Sequence, residues 1–105
     1  MLDKATVREI VRDYSNEVLR ILSPTKIILF GSYINGAPHE WSDIDVAVLV
    51  KDYKGDWLDT HAKLFSLKWE DKFIDIEPHL LDETRDPSGF VKHIIKTGEV
   101  IYPSA

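Results

Sequence analysis

Two aspartates, Asp43 and Asp45, open the run Asp43-Ile44-Asp45-Val46-Ala47-Val48-Leu49-Val50. In a strand, positions i and i+2 point to one face about 6.7 Å apart along the backbone, whereas on a helix they would diverge. Aspartate is depleted in strands and seldom buried without a partner. The pair therefore either sits in water at the strand's start or ligates a hard cation. Mg²⁺ suits such carboxylates, because it takes one or two of them together with waters and substrate phosphates. Just upstream, a second apolar run ends in Phe30-Gly31-Ser32. Glycine there lets the backbone approach a ligand, and successive main-chain N–H groups with the Ser32 hydroxyl can cup phosphate oxygens. Further along, Phe73-Ile74-Asp75-Ile76-Glu77 puts two more carboxylates on one face of a strand. Like charges cannot gather in this way unless cations neutralise them.

The elements that must carry these residues follow from periodicity. Val7, Ile10, Val11, Tyr14, Val18, Ile21 and Leu22 recur at helical steps; Asp3 is placed to cap that helix, and Ser23-Pro24 to end it. Ile27 to Phe30 and Asp43 to Val50 read as strands, joined by a connection with room for one helical turn. Trp57, Leu58, Ala62, Phe65 and Trp69 predict a second helix packed on the sheet, or a partner interface if those aromatics are exposed, with Asp56 as its cap. Phe73 to Leu81 predicts a third strand. Pro78 makes it an edge strand or ends it there. A third helix follows Asp86-Pro87-Ser88 and stops at Gly98, read as a left-handed residue, before a small strand at Val100 to Tyr102. The order α-β-β-α-β-α predicts an α+β fold, a small mixed sheet flanked by helices.

Composition bounds the function. With 105 residues, 44% hydrophobic and 30% charged, the chain (residues 1–105) is expected to form a single domain. Its small size leaves a shallow site and favours a partner, either another protein or a second copy of itself. The formal net charge of −5 gives no cationic field for general nucleic-acid binding. No run approaches the roughly 18 apolar residues of a membrane span, and the amino terminus lacks signal-peptide character. The absence of cysteine fits a cytoplasmic protein. His39, His61, His79 and His93 lack zinc-ligand spacing; His79 shares the face of Asp75 and Glu77, where it could meet phosphate or acceptor. Trp41 and Tyr33 either stack on a nucleobase or pack the loop.

Gly31-Ser32, ten intervening residues, Asp43-Ile44-Asp45 and then an apolar-Asp-apolar strand together resemble the minimal nucleotidyltransferases of the DNA polymerase beta superfamily. The likeness covers nearly the whole chain, from the leading helix to Ile94-Ile95-Lys96-Thr97-Gly98-Glu99-Val100-Ile101-Tyr102. It implies a nucleotidyltransferase fold in which Gly31 and Ser32 bind the triphosphate of ATP or another NTP. Asp43 and Asp45 would then hold two Mg²⁺ ions, with Asp75 as the third catalytic carboxylate and Glu77 as its competitor. Asp75 is preferred because Ile74 and Ile76 flank it, while Glu77 adjoins Pro78. Many relatives carry Ala and Arg where Ile34 and Asn35 stand, so a cationic phosphate contact is missing there; Lys51, Lys54 or a partner residue is the candidate replacement. Short members of the group are similar to antitoxins that adenylylate a tyrosine of a HEPN toxin. The resemblance thus implies an enzyme that transfers AMP from ATP to a partner's hydroxyl. The competing readings are a non-catalytic module that sequesters its partner and a transferase acting on a small-molecule hydroxyl.

Overall fold

The computed structural model describes residues 2–36 and 43–104. Four strands form one sheet in the order β3-β2-β1-β4, with β1 at Lys26–Phe30, β2 at Ile44–Val50, β3 at Ile76–Asp82 and β4 at Glu99–Tyr102. β1 runs antiparallel to both β2 and β4, while β2 and β3 are parallel. Helices α1 (Lys4–Val18), α3 (Trp57–Ser66) and α4 (Phe90–Thr97), with a single turn α2 (Ser32–Asn35), complete the α+β architecture. Among the described residues no helix is long and apolar enough to cross a membrane.

Local chemistry sets these boundaries. The Asp3 carboxylate accepts the Thr6 N–H at 2.8 Å and the Asp56 carboxylate accepts the Asp59 N–H at 2.9 Å, so both caps form as the sequence predicts. α1 ends at Val18, short of Ser23-Pro24. There the chain tightens into i to i−3 turns, with the Arg20 and Ile21 N–H groups donating to the Glu17 and Val18 carbonyls, and this reverses it toward β1. Arg8 on α1 grips Glu99 of β4 through two hydrogen bonds of 2.6 and 2.8 Å, which fixes the helix over that edge.

Alternation along the strands sorts the core into two layers. Ile27, Leu29, Ile44, Val46, Val48 and Ile76 face one side, packed with Val7, Val11, Tyr14 and Val18 of α1 and with Leu64 of α3. Ile28, Phe30, Ala47 and Leu49 face the other, where Val91 and Ile94 of α4 cover them. Gly98 is not left-handed (φ −82). A Cβ there would run into Ile28 and the Ile94 and Leu29 carbonyl oxygens, so glycine serves close approach of α4 to β1 instead.

Two further expectations change. α3 buries Thr60 and Leu64, while Leu58 and Trp69 are 79% and 88% exposed and Trp57 and Phe65 are also exposed. Apolar residues surround this helix on most sides, so periodicity could not single out the inward face. β3 begins at Ile76 rather than Phe73, and Phe73 sits in a 3₁₀ turn, buried edge-on against the Tyr14 ring. Pro78 is accommodated inside β3, which among the described residues is an edge strand bonded to β2 alone.

Candidate active site

β1 delivers its last residue, Phe30, opposite Asp45 of β2. The chain then turns at Gly31 with φ +84, a backbone that strongly favours glycine, and enters α2 at Ser32. A Cβ on Gly31 would collide with the Asp45 carboxylate. Both demands meet at one residue: the turn needs a positive φ, and the carboxylate needs the space a side chain would fill. No side chain caps α2, and the half-buried Ser32 opens it.

Parallel pairing sets Asp45 beside Glu77, and Ala47 beside His79. Directly paired residues on neighbouring strands lie about 5 Å apart, so Asp45 and Glu77 are side by side on the α4 face. His79 Nε2 lies 3.2 Å from Asp45 Oδ1, and its ring meets Phe30 edge-on at 5.1 Å. Asp43 and Asp75 precede their strands and are exposed. The Ile44 N–H donates to the Asp75 carbonyl at 2.7 Å, which ties together the chain segments that carry them.

Gly31, Ser32, Asp45 and Glu77 thus come together, with Asp43 and Asp75 at the outer margin. Asp75 lies just before β3, whereas Glu77 is inside it and in register with Asp45. Pro78 does not end β3, because an edge strand has one side free of ladder bonds. Tyr33 is buried in the α1-side core and is not available to stack on a base. Trp41 and His39 fall outside the described residues. Lys51 and Lys54 follow the far end of β2, about 20 Å along the strand from Asp45, and Lys54 pairs with Asp52 at 3.3 Å. The contact of His79 with Asp45 was only half legible: its shared face with Glu77 follows from alternation, but its partner follows from non-local register.

Among the described residues no three ligating side chains converge into a preformed metal cage. The donor set still fits Mg²⁺, which is characteristically held by one or two carboxylates plus substrate phosphates. A separate apolar groove between α3 and Ile74, lined by Phe65, Trp69, Lys63 and Lys68, holds none of these carboxylates.

The family described as polymerase beta, nucleotidyltransferase matches residues 13–105. A Methanocaldococcus jannaschii protein named as a putative protein adenylyltransferase is 41% identical over 46 residues, a segment spanning 42% of this chain and 46% of that protein. The chain thus matches less than half the length of this curated relative. A crystal structure of a putative nucleotidyltransferase from Sulfolobus solfataricus superposes with a TM-score of 0.60 at 21% identity, covering 90% of this chain and 78% of the other. A toxin-antitoxin structure with AMP-PNP superposes with a TM-score of 0.61 at 26% identity, covering 89% and 73%. A MntA-HpeT toxin-antitoxin mutant gives the same score at 24% identity, with coverage of 89% and 73%.

Proposed function

Because the chain belongs to the polymerase beta nucleotidyltransferase family, we propose that it transfers AMP from ATP to a hydroxyl of a partner protein, a tyrosine of a HEPN toxin, and so acts as a cytoplasmic antitoxin. The observation that carries this reading is the register that sets Asp45 beside Glu77 while Gly31 leaves room for the Asp45 carboxylate. Likeness to a protein adenylyltransferase and to toxin-antitoxin structures, one with AMP-PNP, supports the donor and the kind of partner.

In this reading Gly31 and Ser32 present main-chain N–H groups and a hydroxyl to the triphosphate. Asp43, Asp45 and Glu77 would hold Mg²⁺, with Asp75 as the outer alternative to Glu77. Two bound ions would supply charge neutralisation between the carboxylates and the phosphates. The acceptor oxygen bonds to the α-phosphorus, the bond from that phosphorus to its bridging oxygen breaks, and pyrophosphate leaves. Glu77, beside Asp45, is placed to take the hydroxyl proton. The single domain of residues 1–105 supplies the donor side, and the partner supplies the acceptor.

The test is transfer of labelled AMP to a co-expressed toxin partner. Asp43→Ala with Asp45→Ala should lower labelling by about three orders of magnitude, the loss of about 4 kcal/mol of transition-state stabilisation, without changing the thermal midpoint. Unchanged labelling sinks the mechanism. Calorimetry with ATP and Mg²⁺ separates this from simple sequestration, which needs no metal-dependent nucleotide uptake.

A further inference from the structure

We infer that His79 is a positioning residue for Asp45, an inference that rests on the metal-binding role proposed above. The two oxygens of the Asp45 carboxylate have different surroundings. One lies over the space that Gly31 leaves by having no Cβ; the other, Oδ1, faces His79 Nε2 at 3.2 Å. A carboxylate only accepts hydrogen bonds, so the proton in this contact belongs to His79 Nε2. The imidazole is itself restrained. It rests edge-on against Phe30 at 5.1 Å, and Phe30 meets Phe90, the first residue of α4, at 6.0 Å. α4 therefore braces Phe30, Phe30 braces His79, and His79 braces Asp45.

Position along the strand explains why Asp45 needs this support and Asp43 does not receive it. Asp43 precedes β2 and is exposed. Asp45 is inside the strand with its side chain 28% exposed, and His79 is similar at 30%. A free carboxylate in that half-open setting samples several rotamers and must lose that freedom when a cation binds. His79 removes the freedom in advance, and Nε2 engages only one of the two oxygens. Partners that orient a metal ligand in this way typically change metal affinity by about 10–100-fold.

The experiment measures binding of Mn²⁺ by electron paramagnetic resonance in the presence of a non-hydrolysable ATP analogue, with thermal midpoints recorded alongside. His79→Ala and His79→Phe should each weaken Mn²⁺ binding about tenfold, the phenyl ring keeping the contact with Phe30 but offering no donor. His79→Gln places an amide N–H near the position of Nε2 and should bind within about threefold of the parent. Asp45→Ala serves as the reference and should bind far more weakly than any of them. If Asp45→Ala loses Mn²⁺ while His79→Ala and His79→Phe bind like the parent, the positioning role is overturned and the site reading stands. If Asp45→Ala itself binds normally, the site reading falls and this inference with it. Tighter binding by His79→Ala would show the imidazole competing with the cation and would also overturn the proposal. So would a His79→Gln as weak as His79→Ala.

Discussion

On the α1 side of the sheet, Ile27, Leu29, Val46 and Val48 lie beneath two helices, and among the described residues no buried side-chain polar atom lacks a partner. The buried Tyr14 hydroxyl donates to the Leu64 carbonyl at 2.9 Å, and burial pushes that phenol above its ordinary range. On the α4 side the same strands bury Ile28, Ala47 and Leu49 under one helix of eight residues, and the row Asp45, Glu77 and His79 lies on this face. Among the described residues the Asp45 and His79 side chains on this face stay 28% and 30% exposed. The larger buried cluster lies on one face and the candidate site's row on the other, and both follow from a side-chain alternation of two.

Substitutions can break that division. The largest expected effect is on the closed face, where Phe73→Ala removes a ring buried against Tyr14 and should cost about 3–5 kcal/mol in denaturant unfolding. A smaller cost would mean that this layer is not the main source of stability. On the open face, Glu77→Gln should lower AMP transfer about 100-fold, equivalent to about 2.7 kcal/mol, while Asp75→Asn lowers it less than about fivefold. The reverse order would return the third carboxylate to Asp75. Neither variant should shift the thermal midpoint by more than a few degrees.

At the end of the sheet away from the site, Asp82 accepts the Thr84 hydroxyl at 2.5 Å and the N–H groups of Thr84, Tyr53 and Asp52. These bonds, the Thr84 hydroxyl foremost, hold its carboxyl well below the usual range. A depressed folded value means that the stabilisation is fully present above the unfolded value of about 3.9 and is lost as pH falls below it. Asp82→Asn should cost about 1–2 kcal/mol at pH 7 and converge toward the parent near pH 2, read from thermal unfolding at both. A pH-independent difference would refute the charge-based account. Smallest of all, Trp69→Ser on the exposed groove should change stability by less than about 0.5 kcal/mol. A larger loss would place that aromatic in the fold rather than on a surface free to meet a partner.

The local signals were the legible ones. Asp3 and Asp56 cap helices because a carboxylate before a periodic run has orphan N–H groups to satisfy. Asp43 and Asp45 lead into β2, and Gly31 sits in the turn before it, as their spacing predicted. The readings that changed depend on distant chain. Which side of α3 turns inward was hidden by the aromatics on its outer side. The start of β3 was misread because Phe73, an apolar residue beside Ile74, is buried by Tyr14 from α1 rather than by strand pairing. The choice between Asp75 and Glu77 needed the register of two strands separated by residues 51–75, and alternation alone places both on one face.

That separation also bears on the order of assembly. β1 and β2 form an antiparallel pair across residues 31–43, whereas β2 and β3 can pair in parallel only after the chain has crossed over through residues 51–75, which hold α3 and two 3₁₀ turns, Leu67–Trp69 and Asp71–Phe73. Closing the longer loop costs more entropy before any contact repays it. Gly31 and Asp45 can meet in the early hairpin, but Glu77 and His79 reach them only with the crossover complete. The acidic row is therefore split between a nearer and a more distant strand pairing, and a chain holding only the β1–β2 pair would present Asp45 without Glu77 and His79.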